Sequence, residues 1–294
     1  MWMLAGKNET RAMIKKILGI NLVAVALMSS VMLTQSAYAN DVPSCYAMNQ
    51  TDLKTPVADR EIFVLIDQTT LLDDVLRAQV MDNVGKFIKP GTTFTIATFS
   101  AFTQGHYMNI VKSGTLESDI SAGDRDVVKV RVLTSFDACM KKQWSFGMRM
   151  AADAITKSMS GASDTLAKSD VESSIKSFSD VVRASKAKDR VVLIVSDMLE
   201  NSSISNFYAS KNVRKIDPAK EMVAAKTNHA IGDFNGARVY VMGAGTVAET
   251  TTHTVYRDPK TMNALSQFWS EYFKEAHANL VEFGEPSLLS PIQW

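Results

Sequence analysis

The chain has 294 residues, with 32 Lys and Arg against 31 Asp and Glu and 46% apolar side chains, a balance that marks a globular protein and not a disordered one. Phosphate neutralisation requires a basic face, and no Lys/Arg cluster occurs, so nucleic acid is excluded as the main partner. Two cysteines, Cys45 and Cys139, are too few for a disulfide-stapled scaffold.

Residues 1 to 39 read as an export signal: Lys15 and Lys16, an apolar run from Ile17 to Leu33, then Ala37-Tyr38-Ala39 before the expected cleavage at Asn40. The run is short and broken by Asn21, Ser29 and Ser30, whereas a permanent span needs roughly 20 apolar residues. Removing this segment takes away Lys7, Arg11, Lys15, Lys16 and Glu9, leaving 28 basic against 30 acidic residues. A periplasmic or secreted location follows as the expectation. In an oxidising compartment a Cys45–Cys139 bridge is the simplest pairing, with two buried thiols as the alternative.

Residues 40 to 59 are expected to form an extended N-terminal arm pinned by Cys45. Glu61 to Ile66 is a continuous apolar run ending in Asp67, the pattern of a central strand buried on both faces of a parallel sheet. A helical stripe follows through Val75, Leu76, Val80, Val84, Phe87 and Ile88, closed by Pro90-Gly91. Phe94 to Phe99 is a second strand, and Tyr107 to Val111 a third at the sheet edge. The alternation of Val128, Val130 and Val132 predicts another strand inside an insertion at about 113–139. Helices are expected over 140–159 and 174–187.

Val191 to Val195 is the second strongly apolar strand, and it too is followed by a carboxylate, Asp197. A helix over 218–229, a strand at 238–242, a helix over 258–276 and a last strand at 280–283 complete the chain, leaving 287–294 as a tail. Alternation of this kind predicts an α/β fold with a doubly wound, mostly parallel, six-stranded Rossmann-like sheet flanked by helices.

In open α/β sheets a ligand lies beyond the carboxyl ends of the strands, where the strand order reverses. Asp67 and Asp197 both stand there if their strands are neighbours, with the Thr69 hydroxyl close by. An oxygen-only group of this kind suits a hard divalent cation. The alternative for the same residues is helix capping, since a short acceptor between strand and helix satisfies unpaired N–H groups.

Through these residues the chain resembles the von Willebrand factor A family over residues 60 to 286. That family carries an Asp-x-Ser-x-Ser loop after its first strand, a hydroxyl in a second loop and an Asp after its fourth strand. The resemblance implies a metal-ion-dependent adhesion site with Asp67, Thr69, Ser173 and Asp197 as ligands to Mg²⁺ or Mn²⁺, Ser174 being the neighbour of Ser173 that also fits. Leu71 departs from the pattern, standing where the second serine of the first loop belongs, and Thr70 or water is the available substitute. The chain is also similar to an exported bacterial branch of the family, through Ile66-Asp67-Gln68-Thr69-Thr70, Ser196-Asp197-Met198-Leu199-Glu200-Asn201, Asn206-Phe207-Tyr208, Phe268-Trp269 and Gly284-Glu285-Pro286.

The resemblance implies a non-enzymatic binding module for a protein partner, with the loops at 200–208 and 243–256, and Glu200, Phe207 and Tyr208 in particular, at the partner face. The second expectation is a metal-free structural subunit of an envelope or conjugation apparatus. Ser173-x-x-Lys176 has the spacing of serine acyl enzymes, but the further motifs of that class do not follow it. Gly243-Ala244-Gly245 imitates a dinucleotide loop without the helix that would receive a phosphate.

Overall fold

The computed structural model describes residues 40–49, 51–103, 106–163, 169–209, 212–246 and 258–294; the export signal and positions 247–256 of the loop expected at 243–256 lie outside them. Strand β1 (Arg60–Asp67) occupies the middle of a six-stranded sheet, paired in parallel with β2 (Thr92–Thr103) on one side and β4 (Asp189–Val195) on the other. Strand β3 (His106–Leu116) runs antiparallel along the outer side of β2, while β7 (Arg238–Met242) and β8 (Asn279–Phe283) continue in parallel beyond β4. The order is β3-β2-β1-β4-β7-β8. A two-stranded ribbon, β5 (Tyr208–Ala209) and β6 (Asn212–Val213), stands apart from the sheet.

Strand periodicity divides the apolar residues between two cores. Ile62, Val64 and Ile66 of β1, with Val191, Leu193 and Val195 of β4, face helices α2 (Asp74–Gly85) and α4 (Val130–Ser160). The alternate residues, Phe63 and Leu65 with Val192 and Ile194, face α5 (Val171–Ala184) and α7 (Pro259–Glu275). Both faces of the central strands are covered, which is why their sequences are continuous apolar runs instead of alternating ones. Short acceptors start the helices: Asp73 accepts the Leu76 N–H, and Asp217 precedes Pro218 at the start of α6 (Pro218–Thr227). None of the described helices is long and apolar enough to cross a membrane.

Two expectations are corrected. The strand read at Val128, Val130 and Val132 is absent; Val130 is the first residue of α4 and is 78% exposed. The buried residues of α4 are Phe136, Met140, Gln143, Gly147, Ala151, Ala154, Ile155, Ser158 and Met159, so its helical stripe reaches back to Phe136 and overrides the short alternation before it. Residues 113 to 139 finish β3, form the short helix α3 (Ala122–Arg125) and open α4.

The arm is not wholly extended either. Ser44 caps a short helix, α1 (Cys45–Met48), and Cys45 is bridged to Cys139 of α4. The Glu117 carboxylate gathers this region, accepting from the Ser44 hydroxyl, the Cys45 N–H at 2.7 Å and Gln143 Nε2 at 3.0 Å. Upstream of α1, the Asp41 N–H donates to the Ser113 carbonyl at 3.1 Å, and Asn40 Oδ1 accepts the Thr115 N–H at 3.0 Å. The arm thus lies on the outer edge of β3.

Candidate functional site

Because β1 and β4 are hydrogen-bonded neighbours, their carboxyl ends bring Asp67 and Asp197 together. Asp67 is the last residue of β1 and is 1% exposed. Its carboxylate is surrounded by donors. Oδ1 accepts the Thr69 N–H at 2.8 Å and the Thr69 hydroxyl at 2.6 Å. Oδ2 accepts the Ser196 hydroxyl at 2.7 Å and the Ser169 hydroxyl at 3.3 Å. The Thr70 hydroxyl also donates to this carboxylate and accepts the Asp197 N–H at 3.0 Å.

Asp197 sits in a tight turn that follows β4. Its Oδ1 accepts the Leu199 N–H at 2.9 Å, the Tyr208 hydroxyl donates to its carboxylate, and its carbonyl accepts the Gly245 N–H at 2.9 Å. Met198 adopts a φ of 61°, the left-handed conformation that a side chain rarely takes. That turn is held by Trp269 of α7, which donates its indole N–H to the Met198 carbonyl at 2.9 Å.

Burial raises the Asp67 carboxyl above its ordinary range against the lowering effect of the Thr69, Ser196 and Thr70 hydroxyls. Asp197 is raised further, by burial and then by the negative charge of Asp67. Burial also raises Tyr208, with Asp197 and Asp67 adding to it. No ion pair among the described residues involves either carboxylate. Two desolvated acids side by side without a cation favour either a shared proton or a bound cation.

The donor chemistry fits a hard cation: two carboxylates with the hydroxyls of Thr69 and Thr70 supply oxygen only. Among the described residues no group of three or more His, Cys, Asp or Glu is gathered that would hold a metal by itself, so water would have to complete the coordination. Leu71 supplies no oxygen, and the Thr70 hydroxyl is the one that bridges the two aspartates. Thr70→Val is expected to lower stability by about 1–3 kcal/mol in urea unfolding, because it leaves the buried Asp197 N–H without an acceptor.

Ser173 does not join this cluster. It lies in the first turn of α5, where its N–H donates to Asp170 Oδ1 at 3.1 Å and its hydroxyl bonds the same carboxylate, so it belongs to the helix cap. Ser174 donates to the Asp170 carbonyl at 2.5 Å. The hydroxyl that reaches Asp67 is that of Ser169, just before the cap. Lys176 donates to the His229 carbonyl at 2.5 Å, away from the serine with which it shares a spacing. Glu200 and Phe207 are fully buried, which corrects their placement at a partner face. Phe207 packs edge-on against Phe268 with ring centroids 5.5 Å apart. Tyr208, half-buried, is the one residue of that group with a direct tie to Asp197.

No protein-family model matches the chain, and no curated protein matches it. Solved structures with a similar arrangement include the PilB minor pilin from Streptococcus sanguinis, at 11% identity and a TM-score of 0.40, over 79% of this chain and 58% of that one. Another is an aerotolerance-related membrane protein from Bacteroides fragilis, at 12% identity and a TM-score of 0.34, over 76% of this chain and 89% of that one. The chain thus spans little more than half the length of the minor pilin.

Proposed function

We propose that this is an exported, non-enzymatic binding module of the von Willebrand factor A type, which engages a protein partner in the cell envelope through a divalent cation at Asp67 and Asp197. The observation that supports it is the pair of buried carboxylates at the ends of the two central strands, lined by hydroxyls and without an ion pair to a cationic side chain among the described residues. Mg²⁺ or Mn²⁺ suits the oxygen donors, and an acidic group of the partner would complete the coordination. The Cys45–Cys139 bridge supports export to an oxidising compartment, periplasmic or beyond the cell.

A metal-free structural subunit is the second reading, favoured by the hydrogen bonding of Asp67. That carboxylate already receives the donors of Thr69, Thr70, Ser196 and Ser169, which satisfies it without a metal. Isothermal titration of the purified protein with Mg²⁺ and Mn²⁺ separates the two. Saturable binding that disappears in Asp67→Ala is the expected result; absence of binding in the parent protein would move the domain to the metal-free reading.

A further inference from the structure

Helix α4 has 31 residues, which at 1.5 Å per residue gives it a length of about 45 Å. Ala151, Ala154, Ile155 and Met159 turn one side of it into the core shared with β1 and α2. On the other side Arg131, Ala138, Lys142, Ser145, Arg149 and Thr156 are all exposed. They follow one another at spacings of three, four and seven, which places them in one line along the helix. Lys141 and Lys157 are exposed to either side of that line.

The helix thus presents five basic side chains, and none of them enters an ion pair among the described residues. Its two acids do little to offset them. Asp137 is held by Arg125 through hydrogen bonds of 3.0 and 2.6 Å, which leaves Asp153. The rest of residues 40–294 carries 23 basic against 28 acidic side chains, so the positive charge belongs to this helix and not to the chain as a whole. In sequence the five are dispersed, with Lys141-Lys142 the only adjacent pair; the helical repeat is what gathers them.

The remaining residues of the ridge suit an extended anionic surface. Ala138, Ser145 and Thr156 are small and stand between the cations, so a headgroup phosphate can approach each cation closely. Phe146 lies four residues after Lys142 and three before Arg149 and is 40% exposed, an aromatic ring where interfacial helices place one at headgroup level. A convex helix ridge encloses no peptide, whereas a lipid surface requires only charge and area.

We infer that the exposed side of α4 docks on an anionic lipid surface, with Arg131, Lys142 and Arg149 on the headgroup phosphates and Phe146 between the headgroups. The inference rests on the export proposed above, since for an exported chain the membrane, and not nucleic acid, is the polyanion within reach. The surface is distinct from the aspartate cluster. The two meet at the end of α4, where Gln68 Nε2, next to Asp67, donates to the Ser158 carbonyl at 2.8 Å.

Vesicle sedimentation tests this with residues 40–294, within which every contact described above lies. The vesicles are phosphatidylcholine alone, or phosphatidylcholine with about one third phosphatidylglycerol. The expected result is partition onto the anionic vesicles and not onto the neutral ones. Lys142→Glu/Arg149→Glu should lower that partition about tenfold or more, and so should half-molar salt. The same change of net charge made at Lys186 and Lys274, just past α5 and on α7, which cover the other face of the sheet, should lower it much less. Far-UV spectra matching the parent check that both double variants are folded.

No partition, equal partition onto both kinds of vesicle, or equal losses in the two double variants overturns the inference. So does a parent protein that ignores the vesicles but is retained by immobilised polyglutamate and released by Lys142→Glu/Arg149→Glu, since the ridge would then serve an acidic protein. N-terminal sequencing of the full chain recovered from the expressing cell reports on export separately. A start at Asn40 without vesicle binding overturns the inference and leaves export standing; an uncleaved chain overturns the export reading, on which the choice of a membrane rests.

Discussion

Trp269→Ala is expected to destabilise the protein by about 4–6 kcal/mol, combining the roughly 3–5 kcal/mol of a large aromatic truncated in a core with the loss of a buried hydrogen bond. Trp269 is fully buried, with ring centroids 4.9 Å from Phe268 and 5.1 Å from Tyr272. Its indole N–H is also the donor that holds the Met198 carbonyl in its left-handed turn. Trp269→Phe separates the two contributions: it keeps most of the apolar volume and removes only the donor, for an expected cost of about 1–3 kcal/mol. Urea unfolding of both variants measures the difference. Equal losses would show that the hydrogen bond to the Asp197 turn dominates; a near-zero loss in Trp269→Phe would show that the turn is held by other contacts.

Replacing Cys45 and Cys139 together by serine is expected to cost about 4–5 kcal/mol, because the bridge spans 94 positions and a loop of that length loses much entropy in the unfolded chain. Little should change in the folded protein. The arm remains tied by Glu117 and by the packing of Tyr46 on Phe136, whose ring centroids are 4.9 Å apart. The signature is a lower denaturant midpoint with a near-UV spectrum like that of the parent. If reductant and the double substitution leave the midpoint unchanged, the bridge does not form in solution.

Much of the fold was legible because its central strands obey the simplest burial rule. Glu61–Ile66 and Val191–Val195 are apolar throughout since both faces are covered, and each leads to the aspartate where an open sheet places its ligands. The mostly parallel sheet followed from the strand–helix alternation, and β3 stands at the edge where Tyr107 to Val111 was expected, its antiparallel direction being visible only in the structure. The start of α4 was misread because the alternation of Val128, Val130 and Val132 is short and straddles the beginning of the helix; the buried stripe from Phe136 was the stronger signal.

The site was half legible. Asp67, Thr69 and Asp197 stand in strand-end positions that sequence can locate, whereas Ser169 reaches Asp67 from a loop more than a hundred residues away. The start of α5 lies three residues earlier than expected, so the cap residue Asp170 went unrecognised and Ser173 belongs to that cap. Glu200 looked like a surface charge because an acid in a polar loop usually is one. It is buried instead, its carboxylate accepting the Glu172 backbone N–H, and no spacing rule brings those two together. Phe207 and Tyr208 show the limit of a motif read as a unit: one side chain enters the core and the next turns to Asp197.

The strand order also governs how the chain must fold. The two most apolar strands pair Arg60 with Asp189 and Ile66 with Val195, so the centre of the sheet is a long-range contact. Local helices and the β2–β3 ribbon form from neighbouring residues, but β1 has one bare flank until β4 has been made and has found it. Such topologies are slow folders with exposed strand edges along the way. A nascent chain therefore carries a hydrophobic strand with one unpaired flank from the making of β1 until β4 follows it, and holding β1 apart from other chains during that interval is the task its folding environment must perform.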